Sequence, residues 1–217
     1  MYFDGKKPDV MNWRLLEGAE TVGKYGFPKL MPVNNANPQH LVPFHHIGVE
    51  KDKEKSWFHF YVDDCRLERL WRNPERYLSC LLQFAGGFGM DFSVLMDQPR
   101  GQQVGNAYRN FVLTYWLQVQ AKAQGKEIVP NACFSDADSL DWILEPLPEY
   151  SALAITTQGC LRNRVCKQTL VNGLHELIRQ KNPTKLIVYG QFPDEWRDKY
   201  PVEVIVLDTF SKERWVS

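Results

Sequence analysis

Two aspartates, Asp63 and Asp97, end apolar runs of the sequence and are the first candidates for catalysis. A well-placed carboxylate can act as a general base, and two carboxylates can hold a divalent metal that activates water. His59 could join them as a ligand, because imidazole suits transition metals while carboxylates suit Mg²⁺ or Mn²⁺. No HxH or HExxH spacing accompanies these residues, so the pattern indicates proton transfer or metal-assisted hydrolysis and assigns no metal ligand set.

Further candidate ligand-binding residues lie in or beside the same runs: His59, Tyr61, Asp64, Ser93, Arg109, Asn131, Ser135 and Asp136. An arginine such as Arg109 can hold an anionic group or form a surface ion pair, and the sequence leaves both open. Aspartate and serine after a strand can also cap the next helix, as Ser135-Asp136 indicates. Polar groups that converge from three strands are harder to explain in this way, because buried polar groups cost free energy unless they are paired.

The alternation of side chains along each strand predicts which residues converge. Phe58, Phe60 and Val62 share one face of their run, and the opposite face is polar. The runs at 91–97 and 127–136 show the same division. A closed barrel would turn these polar faces inward, toward one mouth at the carboxyl ends of the strands, and would collect there His59, Tyr61, Asp63, Ser93, Asp97, Asn131 and Ser135.

Six apolar runs carry the fold prediction: FHFYVDD, DFSVLMD, EIVPNACFSD, SALAITT, KLIVYGQ and VEVIVLD. Amphipathic segments separate most of them, which is typical of an α/β fold with a mostly parallel sheet and right-handed crossovers. A small or irregular β/α barrel of the TIM type is favoured over an open doubly wound sheet. Ligands of both architectures bind at the carboxyl ends of the strands.

Four helices are predicted: one that begins at Asn73-Pro74, one over 104–119, a short one after Ser135 and one over 170–178. The glycines at 86, 87 and 89 are expected to end the first helix as a loop rather than cradle a phosphate. Residues 1–50 contain five prolines and are predicted to be an irregular segment, with short strands at 29–33 and 41–47, packed on an α/β domain of residues 51–217.

Composition bounds the function classes. The chain has 217 residues, of which 44% are hydrophobic, so a folded core is expected. Its 26 basic and 26 acidic residues cancel, which argues against broad nucleic-acid binding. No apolar run approaches the roughly 18 residues of a membrane span, and the N-terminus lacks a signal-peptide pattern, so a cytoplasmic protein without a membrane partner is expected. The five cysteines match no common zinc spacing and fit a reducing compartment.

Four blocks of this sequence resemble the domain-of-unknown-function family numbered 4417. The blocks are FHFYVDDCRLERLWRNPERY, MDFSVLMDQPRGQQVGNAYRNFVLTYW, IVPNACFSDADSLDW and SALAITTQGC, and the resemblance covers residues 40–191. It is specific in block order and in the DFS, D-x-P and YRN positions, although Met90 replaces the family's usual proline before DFS. The resemblance implies a cytosolic protein of a phage or mobile element and supplies no reaction. The positions that match its polar blocks are Asp63, Asp64, Asp97, Arg109, Ser135 and Asp136.

Three functions follow as predictions. The first is binding of a phosphorylated small molecule or nucleotide at the carboxyl-end mouth, with Asp63 or Asp97 as general base or with both holding a divalent metal for phosphoester hydrolysis. The second is a non-catalytic protein that binds and inhibits or redirects a host protein, because its 7 Trp and 9 Tyr offer interface anchors. The third is nucleic-acid binding in element replication, which the neutral charge does not favour.

Overall fold

The computed structural model describes residues 8–197 and 199–209. Within these residues the strands are β1 Thr21–Val22, β2 Phe27–Pro28, β3 Leu41–Pro43, β4 Trp57–His59, β5 Gly86–Phe88, β6 Glu127–Val129, β7 Ala152–Thr156, β8 Lys185–Tyr189 and β9 Glu203–Leu207. The helices are α1 Asp64–Arg72, α2 Glu75–Leu81, α3 Arg100–Lys122, α4 Ala137–Ile143, α5 Arg164–Lys181 and α6 Asp194–Arg197.

The strands from β3 to β9 run parallel and pair in sequence order. One sheet has the order β3-β4-β5-β6 and a second has the order β7-β8-β9, while β1 and β2 form a separate antiparallel pair. A single parallel bridge between Asn131 and Ala154 joins the two parallel sheets. The predicted α/β fold with a mostly parallel sheet is therefore confirmed.

The parallel array is strongly curled. The ring of Tyr189, at the end of β8, lies 4.6 Å from the ring of His59 and 4.7 Å from that of Tyr61, at and just after the end of β4. Four strand spacings of about 4.8 Å each would hold these positions roughly 19 Å apart in a flat sheet. Because no ladder joins β9 to β3 in the described part of the chain, closure into a barrel is not confirmed.

The curled sheet divides the core into an inner and an outer layer. Inner residues include Leu41, Trp57, Phe88, Val129 and Ile187, which form one cluster on the concave side. On the convex side Phe58 and Phe60 pack with residues of α1, α2 and α3. The predicted alternation of this strand is confirmed, since its phenylalanines face the helices while His59 and Tyr61 face inward.

The prediction that the glycines at 86, 87 and 89 form a loop is wrong. Gly86 and Gly87 belong to β5, in the middle of the first parallel sheet. A Cβ atom on Gly87 would lie 2.2 Å from the ring of Phe58 in the neighbouring strand. Glycine is required here because the large side chains of the adjacent strand occupy the space above it. In the sequence alone, such a pair of glycines is indistinguishable from the glycines of a turn.

The prediction of a strand at 91–97 is also wrong. Residues 90–97, here called the site loop, follow β5, end in a turn at 96–97 and pair with no strand. Their backbone is held by side chains of α3, here called the polar row, which comprises Gln103, Asn106, Asn110 and Thr114. Asn110 makes two of these bonds with Phe92, accepting from its N–H at 2.6 Å and donating to its carbonyl at 2.9 Å. The helix therefore replaces a strand partner.

The remaining elements agree with the sequence in part. Helices α2 to α5 coincide with predicted patterns, whereas α1 was missed, and the short strand expected at 29–33 is absent among the described residues. β3 lies in the first 50 residues and pairs with β4; the proposed boundary at residue 50 stays a prediction. No helix in the described ranges is long and apolar enough to cross a membrane.

Candidate functional site

Two adjoining cavities open at the carboxyl ends of the parallel strands and together form one cleft. The first, of about 530 Å³, is lined by His59, Tyr61, Asp63, Arg66 and other mostly polar groups and is called the polar cavity. The second, of about 520 Å³, lies between the site loop, the residues after β6 and α5, and is called the apolar cavity. Both cavities are lined by Asp91, Ser93, Thr156 and Gln158, so they lie side by side.

Asp91 lies where the two cavities meet. Its Oδ1 accepts a hydrogen bond of 2.7 Å from Asn131 Nδ2. Burial raises the pKa of the Asp91 carboxyl from 3.8 to about 6; the bonds from Asn131 and Cys133 oppose this shift, and the nearby charge of Asp64 adds to it. A carboxyl group with a pKa near 6 exchanges protons readily close to neutral pH, as a general acid or base must.

His59 lines the polar cavity and has a fixed, buried hydrogen-bond donor. The backbone N–H of Tyr61 donates to His59 Nδ1 at 3.2 Å, so Nδ1 carries no proton and the neutral ring carries its proton on Nε2. Burial lowers the pKa of His59 to about 3, with a smaller contribution from His45, so the ring stays neutral. His59 is 1% exposed, and its Nε2 has no hydrogen-bond partner. A buried donor without a partner is costly unless a ligand satisfies it.

A chain of hydrogen bonds ties Tyr61 to Asp91. Tyr61 Oη donates to Asn131 Oδ1 at 3.1 Å, and the amide nitrogen of Asn131 then donates to Asp91. Burial, and next the charge of Asp91, raise the pKa of Tyr61, so its hydroxyl remains protonated. The Asn131 side chain is thus oriented by both neighbours and holds Asp91 in place.

The apolar cavity contains one buried polar group without a partner. Ser135 is 4% exposed, and its Oγ makes no hydrogen bond. The thiols of Cys133, Cys160 and Cys166 also line this cavity, and burial raises the pKa of Cys133 and of Cys160. These two thiols are therefore neutral at pH 7 and behave as small apolar groups.

The cleft carries a negative charge. Asp63 and Asp91 line the polar cavity together with one cation, Arg66, which lies 3.7 Å from Asp63. Asp97 lies at the apolar cavity, where no described lining residue is cationic. Neutral or positively charged groups are favoured inside this cleft over free anions.

Six predicted residues line the cleft: His59, Tyr61 and Asp63 line the polar cavity, Asp97 and Ser135 line the apolar cavity, and Ser93 lines both. Asn131 is buried behind the cleft and orients Asp91. The proposed catalytic pair is divided, since Asp63 lines the polar cavity and Asp97 the apolar one. Among the described residues, no three His, Cys, Asp or Glu side chains cluster as a metal site would require.

The other predicted residues have structural partners. Asp64 accepts from both the N–H and the hydroxyl of Ser93 at 3.0 Å and so anchors the site loop to α1. Arg109 forms an ion pair of 2.6 Å with Glu68, away from the cleft. Asp136 pairs with Arg100 and caps α4 by accepting from Ser139 N–H at 2.9 Å, as the capping interpretation predicted.

The comparisons with known proteins agree with the family resemblance of the four sequence blocks. The family described as "Domain of unknown function (DUF4417)" matches residues 19–209. The chain belongs to this DUF4417 family. The Gene 1 protein of Mycobacterium phage L5 is 31% identical over 188 residues, which cover 85% of this chain and 79% of that protein. The Gene 1 protein of Mycobacterium phage D29 is 34% identical over 190 residues, covering 85% of this chain and 67% of that protein. No solved structure matches significantly.

The DUF4417 chain contains one site residue that the sequence reasoning missed. Asp91 is the first residue of the DFS block and shares strand parity with Ser93 and Asp97. The sequence alone predicts a strand over 91–97, which would place Asp91 at the amino end of that strand. Since β5 ends at Phe88, Asp91 instead follows the carboxyl end of a strand. The shared parity of Asp91, Ser93 and Asp97 correctly indicates that they face the same side, whereas the predicted start of a strand at residue 91 is wrong.

Replacing His59 with phenylalanine is expected to reduce the loss of stability in acid. The unfolded chain protonates His59 near pH 6.5, whereas the folded protein does so only near pH 3, so stability falls as the pH drops through this window. Between pH 6.5 and about 4.5 the variant should lose about 2 kcal/mol less than the unchanged protein in urea unfolding. The exposed His175→Gln is the control, and an equal loss in His59→Phe and the unchanged protein would contradict the expectation.

Proposed function

We propose that this protein binds a small molecule in the cleft at the carboxyl ends of its strands and that Asp91 releases its proton to solvent as it accepts a hydrogen bond from that molecule. The observation that carries the proposal is the unpartnered Nε2 of His59, a buried donor at a cavity that Asp91 also lines. A ligand acceptor would satisfy this donor, and a ligand donor would satisfy the carboxylate of Asp91. We also propose that β9 pairs with β3 and so closes the curled sheet into a barrel around this cleft.

The hydrogen-bonding pattern of the cleft favours an amide or amidine edge, in which an acceptor and a donor stand side by side. Carboxamides and nucleobases carry such edges. The acceptor would face the His59 Nε2 proton, and the N–H would face Asp91. The ligand would keep its N–H proton, because an amide N–H is a far weaker acid than a carboxyl group. Binding would favour the ionised form of Asp91, whose own proton would pass to solvent.

The proposed phosphorylated ligand or nucleotide needs a particular orientation. Asp63, Asp91 and Asp97 would repel a phosphate inside the cleft. A phosphate would instead lie outside, toward Arg162, which lines a neighbouring cavity that shares Gln158 and Gly159 with the polar cavity. Metal-assisted phosphoester hydrolysis through Asp63 and Asp97 is a weaker proposal, because the two carboxylates line different cavities.

The proposal is tested by calorimetric titration with benzamide, uridine, adenosine and their monophosphates at about pH 5, 6 and 7. At least one amide or amidine ligand should bind, with an affinity that changes across the pKa of Asp91 and with proton exchange that appears as a dependence on buffer ionisation enthalpy. Asp91→Asn should abolish the pH dependence. His59→Phe should weaken binding about tenfold or more, because a hydrogen bond to a buried donor is lost.

The control is Arg179→Gln, which alters an exposed ion pair with Glu176 outside the lining of both cavities and should leave affinity unchanged. Equal affinity of the His59→Phe variant and the unchanged protein would contradict the proposal. Failure of all ligands, together with capture of a host protein or salt-sensitive binding of nucleic acid, would favour the alternative partners.

A further inference from the structure

The apolar cavity is larger than the polar ligand edge requires. At about 520 Å³ it is more than three times the roughly 150 Å³ apolar cavity that accepts a benzene molecule. Its lining includes Leu95 and Met96 from the site loop, Ala132 and Phe134 after β6, Ile155 of β7 and Leu170 of α5. Side chains from four parts of the chain thus line one open apolar cavity beside Asp91.

Ser135 gives this space one point of polar recognition. Its hydroxyl is buried and has no partner, although the backbone N–H of the same residue donates to Ser139 Oγ at 2.9 Å. An unpaired buried hydroxyl costs free energy in the empty protein. A single hydrogen-bonding atom on an otherwise apolar group would remove that cost.

The charges at the apolar cavity restrict the group further. Asp91 lies at its junction with the polar cavity, and exposed Asp97 lies at its lining without a cation among the described lining residues. The neutral thiols of Cys133 and Cys160 add no charge at pH 7. An anionic group would be repelled here, whereas a neutral group would not.

We infer that the apolar cavity binds a neutral apolar arm of the ligand whose polar edge lies at His59 and Asp91, with one hydrogen-bonding atom of the arm meeting Ser135 Oγ. This inference rests on the proposed function, since it deepens the definition of the same ligand. The ligand class is an amphipathic carboxamide or heterocyclic amide with an uncharged side arm. The two cavities share Asp91, Ser93, Thr156 and Gln158 in their linings, so they are close enough for one molecule to extend from one to the other.

The test is titration with benzamides that carry methyl, ethyl, propyl or butyl groups opposite the amide. Each added methylene should raise affinity about threefold to fourfold, the ratio expected for moving one methylene out of water. A hydroxypropyl arm should bind better than an ethyl arm, and Ser135→Ala should remove the part of this gain that comes from the hydroxyl. A carboxypropyl arm should bind at least about tenfold more weakly than butyl.

Thr169→Phe provides the structural control, because Thr169 is a half-buried residue of α5 that lines the apolar cavity. The phenylalanine should fill the cavity and flatten the alkyl series while leaving the affinity for benzamide itself unchanged. Gln168→Phe, at the exposed neighbouring position, should preserve the full series.

The outcomes separate the two proposals. Benzamide binding that depends on His59 but does not change with arm length would overturn the inference and retain the proposed function. An equal slope in Thr169→Phe and the unchanged protein would also overturn it. If benzamide fails to bind, butylbenzene titrated alone examines the apolar cavity directly: binding that Thr169→Phe abolishes supports the apolar site, and no binding overturns it.

Discussion

Replacement of Asp91 with asparagine is expected to stabilise the protein by about 2 to 3 kcal/mol at pH 8. The folded pKa of Asp91 is about 6, against 3.8 for the free side chain, because burial disfavours the carboxylate. A difference of about two units corresponds to about 3 kcal/mol between the two protonation states. Asparagine retains an oxygen that can accept the hydrogen bond from Asn131 but never carries the buried charge. Gains of this kind at the cost of activity are common at functional sites.

The pH dependence gives the sign of this effect. A raised carboxyl pKa contributes stability below pH 3.8, and that contribution is lost as the pH rises through 3.8 to about 6. The difference between Asp91→Asn and the unchanged protein should therefore be small near pH 4 and reach its full size above pH 6. Urea unfolding at several pH values measures it, with exposed Asp97→Asn as the matched control. A variant less stable than the unchanged protein at pH 8 would show that the charged carboxylate is instead well accommodated.

Replacement of Asn110 with leucine is expected to cost about 3 to 5 kcal/mol of unfolding free energy. Asn110 is 5% exposed and makes two hydrogen bonds with the backbone of Phe92. Leucine has a similar size but leaves a buried N–H and a buried carbonyl without partners, at about 1 to 3 kcal/mol each. Since domains are typically stable by about 5 to 15 kcal/mol, the variant should be close to unfolding at 37 °C.

A graded comparison tests the cause of this loss. Asn106 donates one hydrogen bond to the site loop, at the carbonyl of Ser93, so Asn106→Leu should cost about half as much as Asn110→Leu. Exposed Gln102→Leu on the same helix should be nearly neutral. Chemical denaturation measures all three variants. Similar costs for Asn106→Leu and Asn110→Leu would indicate that helix packing, and not the number of backbone bonds, sets the loss.

The sequence predicted the fold class because strand and helix periods are local properties. The apolar runs of β7, β8 and β9 and the stripe of α3 are legible without knowledge of their neighbours. β5 was missed because two of its three residues are glycines, whose presence depends on the side chains of β4. The 91–97 run alternates as a strand does, with Phe92 and Val94 buried, yet its partner is a helix. Pairing of this loop with a helix depends on tertiary structure, which the spacing of apolar residues in the sequence does not show.

The candidate site was likewise predicted in part. Alternation placed His59 and Tyr61 on the inner face, and Ser93 and Asn131 proved to be near them. Arg109 and Asp136 were chosen by residue type, and only the fold shows that Glu68 and Arg100 pair with them. The pKa of Asp91 could not be predicted, because it arises from burial that forms only when the site loop, β6 and the outer helices come together.

The polar row of α3 binds only main-chain atoms of the site loop: the N–H of Met90, both groups of Phe92 and the carbonyls of Ser93 and Leu95. Main-chain atoms are the same for almost every amino acid, so the anchorage does not depend on which side chains the loop displays. Leu95 and Met96 can therefore be exchanged while the loop keeps its path, whereas the Ser93 hydroxyl donates to Asp64 and adds a side-chain anchor. The architecture thus separates the support of the loop from the side chains that it displays at the cleft, which makes Leu95 and Met96 natural positions to vary by directed evolution.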